Sequence, residues 1–313
     1  MVLGDMRAGR LTARRSLDDL LSRYRLEPPD AAMAGKLVWG VTRHRLTIEA
    51  VLRVALGARW RRLGHALRHI LLVGAYQLVW LDAVPPFAAV NEAVEQAKRE
   101  GGRKAAAFVN GVLRSVQRHI AERVHMGPPA DMRSCVPTGP NRFCRFDIPI
   151  LPDPATDRVA YLSTATSHPE TIVRRWIDAY GRERAAEICA AGSQQPPTFL
   201  RPNAMRITAA ELARRLEAEG CKVQRIRTDV GSADATGAGA CGEAIVLIDP
   251  PTIGPLLKLG AFREGLFQPQ DITAMQAVRM ASPEPGAVVI DLCAGYGTKA
   301  TQAAELMRDR GLV

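Results

Sequence analysis

The chain has 313 residues, 47% of them hydrophobic and 24% charged, a balance that excludes a disordered polymer and leaves room for two or three domains. Its longest apolar stretch, Ile70 to Trp80, runs eleven residues with Gln77 inside it. A membrane-spanning helix needs roughly 20, so the stretch reads as a buried helix and no membrane partner is expected.

Residues 1–125 carry 21 Lys/Arg against 11 Asp/Glu, whereas residues 126–313 carry 21 of each sign, so the whole net charge of +10 sits on the first part. A solvated, arginine-rich helical surface and a surface for a polyanion both fit such a surplus. Met1 to Arg15 combine Asp5 with four arginines and lack the apolar centre of a secretory signal. The six cysteines (Cys135, Cys144, Cys189, Cys221, Cys241, Cys293) form no C-x-x-C pair and have no histidine at ligand spacing. Neither a metal site nor a disulfide framework is expected, and the reducing cytoplasm is the expected compartment.

In chain order, residues 1–125 read as about five helices. Apolar residues recur at three- and four-residue spacing in Leu17, Leu20, Leu21 and Tyr24, in Leu37, Val38 and Val41, in Ile48, Val51, Leu52 and Ala55, and in Leu67, Ile70, Leu71, Gly74 and Leu78. Pro85–Pro86 interrupts the pattern; a helix from Glu92 to Lys98, with Asn91 as its cap, ends at Gly101–Gly102, and another runs from about Lys104 to Val124. Residues 126–165 are crowded with proline and read as a linker or extended insert. Helical pattern resumes at Pro169, which suits a first helical position, with Ile172, Val173, Trp176 and Ile177 on one face, and a second short helix covers Glu183 to Ala190.

Thr198 to Arg201 reads as a strand. Thr208 to Glu219 reads as a helix opened by a Thr208–Glu211 capping box and closed by Gly220. Val223 to Arg227 and Glu243 to Ile248 read as strands around the Gly/Ala-rich stretch from Gly231 to Gly242, making residues 166–281 a small α+β unit. In residues 282–313, Val288-Val289-Ile290 reads as a short buried strand. It leads into Asp291-Leu292-Cys293-Ala294-Gly295-Tyr296-Gly297-Thr298-Lys299 and a helix through Met307, the opening unit of a doubly wound sheet. Gly295 and Gly297 permit positive φ and close approach of a ligand, and the helix start offers unpaired amides. By itself such a turn also serves as plain structure in many α/β enzymes.

The flanking residues carry a resemblance. Phe262-Arg263-Glu264-Gly265-Leu266-Phe267-Gln268-Pro269-Gln270-Asp271 followed by the Asp291–Lys299 turn resembles the F-x-x-G-x-x-x-x-Q-D and D-x-C-A-x-P-G-x-K segments of RNA 5-methylcytosine methyltransferases. Ser167-His168-Pro169-Glu170 with Arg174, Arg175 and Trp176 is similar to that group's S-H-P opening, and Leu200-Arg201-Pro202-Asn203 to its L-R-V-N strand. Val38-Trp39-Gly40-Val41-Thr42-Arg43-His44-Arg45, Asn91-Glu92-Ala93-Val94 and Phe108 to Arg114 resemble segments of a NusB-like domain. The combination resembles the bacterial small-subunit ribosomal RNA cytosine-C5 methyltransferase B family.

That resemblance implies an all-α NusB-like RNA-binding bundle in residues 1–125, an α+β RNA-binding domain in residues 166–281, and the first β-α unit of a Rossmann-like methyltransferase domain in residues 282–313. It implies S-adenosylmethionine as cofactor, met by Asp291, Cys293, Ala294, Gly295, Tyr296, Gly297, Thr298 and Lys299, with Cys293 as a small buried residue of the loop. Small-subunit ribosomal RNA is the implied partner of a monomer; Arg43, Arg45, Arg59, Arg61 and Arg62 are the candidate phosphate contacts because they cluster on two neighbouring expected helices. The sequence departs from the pattern at Gly295-Tyr296, where the family has Ala-Pro before its glycine, and it holds no Pro-Cys or Thr-Cys pair, the motifs that carry the family's catalytic thiols. The chain is therefore expected to be short of the family's catalytic part and inactive alone. An RNA-binding or ribosome-assembly factor without catalysis, and a nucleotide enzyme built on the glycine turn, are the alternative readings.

Overall fold

The computed structural model describes residues 13–24, 26–127, 129–227, 243–247 and 256–313. The chain divides into two compact units, residues 1–195 and 196–313. Among the described residues no helix is long and apolar enough to cross a membrane.

The first unit opens with α1 (Ala13–Tyr24), α2 (Pro28–Arg43), α3 (Arg45–Leu56), a 3-10 turn (Gly57–Arg62), α4 (His65–Trp80) and α5 (Pro86–His119). The apolar stretch foreseen as a buried helix is α4, whose Ile70, Leu71, Leu72, Ala75, Tyr76, Leu78 and Val79 are all in the core. Close packing here depends on small residues: a Cβ at Gly74 would lie 2.6 Å from Leu113 Cδ1, and one at Gly40 would fall 2.0 Å from the Tyr76 ring. Pro86, after Pro85, starts α5, so Asn91 lies inside a helix rather than capping one; proline is favoured in a first turn, where its missing N–H is no loss. Gly101 and Gly102 leave helical geometry (φ −148° and 69°), and the chain bends there and continues as helix.

The helix expected to reach Val124 ends at His119, and Ile120–Met126 is instead a strand, β1. The proline-rich stretch is likewise no linker: β2 (Cys135–Gly139) and β3 (Arg142–Phe146) join β1 in an antiparallel sheet of order β1-β3-β2. Strands of five residues are too short to show a period, and Pro137 is tolerated because β2 is an edge strand. Val136, Cys144, Phe146, Ile150 and Leu151 enter the same core as the helices. The side chain of Arg123 ties β1 to the end of α4. It donates to the carbonyls of Gln77, Leu78, Leu81 and Val84 at 2.8–3.2 Å, satisfying acceptors at and just beyond the end of α4.

Three helices complete this unit: α6 (Arg158–Thr166), α7 (Glu170–Tyr180) and α8 (Arg182–Gly192). Pro169 stands one residue before α7, not within it. The Ser167-His168 segment, assigned from sequence to the following domain, is bound into the helical unit. Ser167 Oγ accepts from Leu46 N (2.8 Å) at the start of α3, and Thr47 Oγ1 donates to the Thr164 carbonyl (2.7 Å). By its internal contacts the compact unit runs to residue 195.

The second unit contains β4 (Thr198–Pro202), α9 (Ala209–Ala218), β5 (Val223–Arg227), β6 (Glu243–Leu247), α10 (Gly260–Arg263), β7 (Phe267–Pro269), α11 (Ile272–Ala281) and α12 (Thr298–Leu306). Its antiparallel sheet has the order β5-β6-β4-β7. Both hydrogen bonds of the Thr208–Glu211 capping box are present. The stretch between β5 and β6 lies outside the described residues. Leu200, Leu212, Leu216, Ile245, Leu256 and Phe267 form the core between sheet and helices.

Candidate nucleic-acid interface and glycine turn

In the helical unit the five arginines singled out from sequence do not form one patch. Arg43 ends α2 and Arg45 starts α3, whereas Arg59, Arg61 and Arg62 follow the other end of α3. Twelve residues at 1.5 Å each place roughly 18 Å of helix between the two groups. Arg45 is committed to Glu49 at 2.8 Å. Arg43 is half-buried beside Tyr76, and burial lowers its pKa. Between them, His44 breaks the helix and stacks on Trp80 (ring centroids 4.8 Å apart) and Tyr76 (6.3 Å). Burial, helped by the charge of Arg43, pushes its pKa down to about 4, so His44 is neutral at pH 7 and serves packing.

The second group is better presented. The 3-10 turn is anchored by buried Trp60, whose indole N–H donates to Glu49 Oε2 (3.3 Å). Arg68 lies over the Trp60 ring at 5.1 Å and donates to the carbonyls of Trp60, Arg61 and Leu63. The guanidinium groups of Arg59, Arg61 and Arg62 are left exposed, with no hydrogen bond or ion pair to the described residues. A second basic knot was not singled out from sequence: Lys98, Arg99, Arg103 and Lys104 are exposed around the Gly101–Gly102 bend of α5. Four cations within seven residues around a Gly-Gly pair were the available signal. Not every cation of the basic half faces solvent, since Arg68 and Arg123 are spent on backbone carbonyls.

In the second unit the glycine turn has the foreseen backbone. Gly295 (φ 54°) and Gly297 (φ 78°) are left-handed, with open space where a Cβ would stand. Gly297 precedes α12, and the Thr301 amide closes the first helical bond onto Gly297 O at 2.8 Å. Asp291 Oδ1 accepts from the Cys293 amide (3.1 Å). Ala294, Tyr296 and Lys299 are exposed, Thr298 partly so. Cys293 is also exposed, which corrects its reading as a buried filler.

The strand ahead of the turn is corrected too. Val288 and Ile290 are 69% and 79% exposed and Leu292 is 89% exposed. The stretch has one isolated parallel bridge, Val288 to Leu312, with Val289 N donating to Leu312 O (2.8 Å) and Leu312 N to Ala287 O (3.0 Å). Its other side opens on a cleft of about 730 Å³ lined by Val278 and Ala281 of α11, Val288 to Cys293, and Lys299, Ala300 and Ala303 of α12.

The motif residues outside the turn have structural work in this unit. Leu200 is core, and Asn203 Nδ2 donates to Gly265 O (3.1 Å), holding the left-handed Gly265 (φ 69°). Phe262 packs on Phe267 at 5.6 Å, and Asp271 caps α11 by accepting from the Thr273 amide (2.8 Å).

Comparison with known proteins draws its domain boundary elsewhere, the second family match beginning inside the first compact unit. The NusB family model matches residues 3–118, and the model described as a Methyltr_RsmF/B-like, ferredoxin-like domain matches residues 168–230. The chain is 30% identical over 297 residues to the probable ribosomal RNA small subunit methyltransferase B of Bacillus subtilis, covering 95% of this chain and 56% of that protein. The protein of that description from Synechocystis sp. is 28% identical over 298 residues, covering 95% and 57%. The chain thus spans a little over half the length of the curated relatives it matches. The crystal structure of PH0851 shares the fold, with a TM-score of 0.60 at 16% identity over 99% of this chain and 60% of that one. A NusB family domain followed by an RsmF/B-like ferredoxin-like domain makes this chain a homologue of the ribosomal RNA small subunit methyltransferase B proteins.

Proposed function

We propose that the chain is the RNA-handling part of an S-adenosylmethionine-dependent small-subunit ribosomal RNA cytosine-C5 methyltransferase, acting in the cytoplasm as a monomer. The observation that carries this reading is the union, in one chain, of a basic NusB family domain and an RsmF/B-like ferredoxin-like domain, matched along 95% of its length by a probable ribosomal RNA small subunit methyltransferase B. Arg59, Arg61 and Arg62, exposed on a rigid turn, are the phosphate contacts, with Lys98, Arg99, Arg103 and Lys104 as a second set. Arg45, paired with Glu49, contributes least. Such contacts hold structured RNA by charge and shape, and the target base must leave its stack to be modified.

The open Gly295–Gly297 turn fits the methionine end of S-adenosylmethionine. Its glycines leave room for close approach, the first amides of α12 suit a carboxylate, and Lys299 adds a charge. Bound cofactor would supply an electrophilic methyl group. Cytosine C5 is a weak nucleophile and needs a thiolate added at C6 first. The chain holds no Pro-Cys or Thr-Cys pair, and burial pushes the Cys144 thiol up to about 12. The 313-residue chain is therefore expected to bind ribosomal RNA without methylating it.

The test is binding of small-subunit ribosomal RNA fragments against salt concentration. Replacing Arg59, Arg61 and Arg62 with glutamine should flatten the log–log slope by about 0.7–0.9 for each phosphate no longer neutralised, while Arg45→Gln leaves it near the parent value. An unchanged slope in the triple variant, or labelled methyl transferred by the chain alone, would overturn this reading.

A further inference from the structure

Arg201 stands on β4 and is only 4% exposed. Burying a guanidinium is costly unless its charge is paired and its donors are used. Here both terminal nitrogens are used, mainly on α12 almost a hundred residues further along the chain, while the buried Nε has no partner among the described residues. One terminal nitrogen donates to Gln270 Oε1 and to the Thr298 carbonyl (2.8 Å). The other donates to Thr301 Oγ1 (3.1 Å) and to Glu305 Oε1 (2.8 Å), a carboxylate that is itself largely buried. Gln270 extends the chain of bonds: its amide donates to Gln302 Oε1 (2.6 Å), and Gln302 donates to the Met275 carbonyl (2.9 Å).

Three of the four partners of Arg201 lie on α12, two of them in its first turn, and the fourth, Gln270, stands just ahead of α11. Thr298 is the first residue of α12 after the glycine turn, and Thr301 is the residue whose amide closes onto Gly297. The segment ahead of the turn offers little support of its own, with a single bridge and its apolar side chains in solvent. The planar fork of an arginine holds its donors in fixed directions, whereas a lysine offers three rotatable donors on one flexible point charge.

We infer that Arg201 is the positioning residue of the Asp291–Lys299 turn, with Gln270 as its second point of attachment: β4 of the ferredoxin-like sheet sets where the N-terminus of α12 points. Any shift of β4, as on engagement of RNA by this domain, is passed to the glycine turn through the guanidinium. The inference rests on the cofactor reading of the turn, but the clamp itself is measurable without cofactor.

The experiment uses the full chain carrying Arg201→Lys, with Glu305→Gln as a gentler second variant, and reads amide exchange residue by residue. The expected result is exchange at Thr301 and the following α12 amides faster by roughly 10- to 100-fold, the loss of one or two charge-assisted bonds. Amides of β6, such as Ile245 and Val246, should keep their protection. Unchanged α12 exchange in both variants overturns the inference. So does a uniform loss of protection through β4, β6 and α12, which would make Arg201 a general core residue. A parallel titration with S-adenosylmethionine, followed at the Gly295 and Gly297 amides, separates the two readings. No response in the parent chain sinks the cofactor reading and leaves the clamp to the exchange data. A response in the parent that weakens at least about tenfold in Arg201→Lys supports positioning, and equal affinity in both overturns it.

Discussion

Two apolar stretches look alike as sequence and end differently. Ile70 to Trp80 becomes the buried helix α4, with Leu71, Leu72, Ala75, Leu78 and Val79 fully excluded from solvent. Val288-Val289-Ile290, equally apolar, stands with two of its three side chains mostly in water. The difference is in the partners. Around α4 lie α3, α5 and β1, which supply both apolar surface and, through Arg123, a cap for its last carbonyls. A helix also satisfies its own backbone, so α4 needs only side-chain neighbours. The strand needs backbone neighbours on both edges, and it has one bridge to Leu312. Apolar composition therefore states a demand for burial, and only the surrounding chain meets it.

Four measurements would break or sharpen that contrast. The largest effect is expected at Leu72→Ala in α4: loss of a fully buried side chain should cost about 2–5 kcal/mol in denaturant unfolding of the helical unit. Next comes the acid arm of stability. The folded pKa of His44 lies at about 4, below its unfolded value near 6.5, so the unfolded chain binds the extra proton between these values. Stability from neutral His44 is then complete above pH 6.5 and is lost as pH falls toward 4. The total is on the order of 3 kcal/mol, from a pKa difference of about 2.5 at about 1.4 kcal/mol each, and His44→Gln should remove that part of the pH dependence; identical acid profiles would refute the assignment.

Thr208→Ala, which removes the Oγ1 that accepts from the Glu211 amide but leaves the Thr208 amide on the Glu211 carboxylate, should lower the stability of the second unit by about 1 kcal/mol. Smallest of all is Ile290→Ser, expected within about 0.5 kcal/mol because the side chain is already solvated. That change should also reduce binding of an apolar dye to the cleft. A cost rivalling that of Leu72→Ala would mean that the strand is buried in solution.

The candidate site was legible in part. The glycine turn could be read in detail, because positive φ at Gly295 and Gly297 follows from their lack of a Cβ and from the helix that starts behind them. Arg59, Arg61 and Arg62 were found as cations, but sequence could not tell that Glu49 occupies Arg45 or that Arg43 lies against Tyr76. The basic knot at the α5 bend is not legible in apolar spacing, which says nothing about where a helix bends toward solvent. Arg201 and Gln270 were visible as motif letters, yet their common target on α12 lies 97 and 32 residues away from them at its nearest bonds.

What the sequence determined by itself is local: the helices of the first unit, the capping box at Thr208, the Gly-Gly bend, the left-handed turn before α12, and the uneven charge. Each depends on residues within a turn or two, where side-chain shape and hydrogen-bonding groups act on nearby backbone. What only the tertiary structure decided is pairing across distance. The proline-rich stretch became a sheet because β1, β2 and β3 found one another. Ser167 joined the helical unit by binding the Leu46 amide, Arg201 turned inward to meet Glu305, and Val288 found a bridge to Leu312 from the far side of α12. Local signals say which elements can form. The free energy of burying backbone and charge depends on what arrives from elsewhere in the chain.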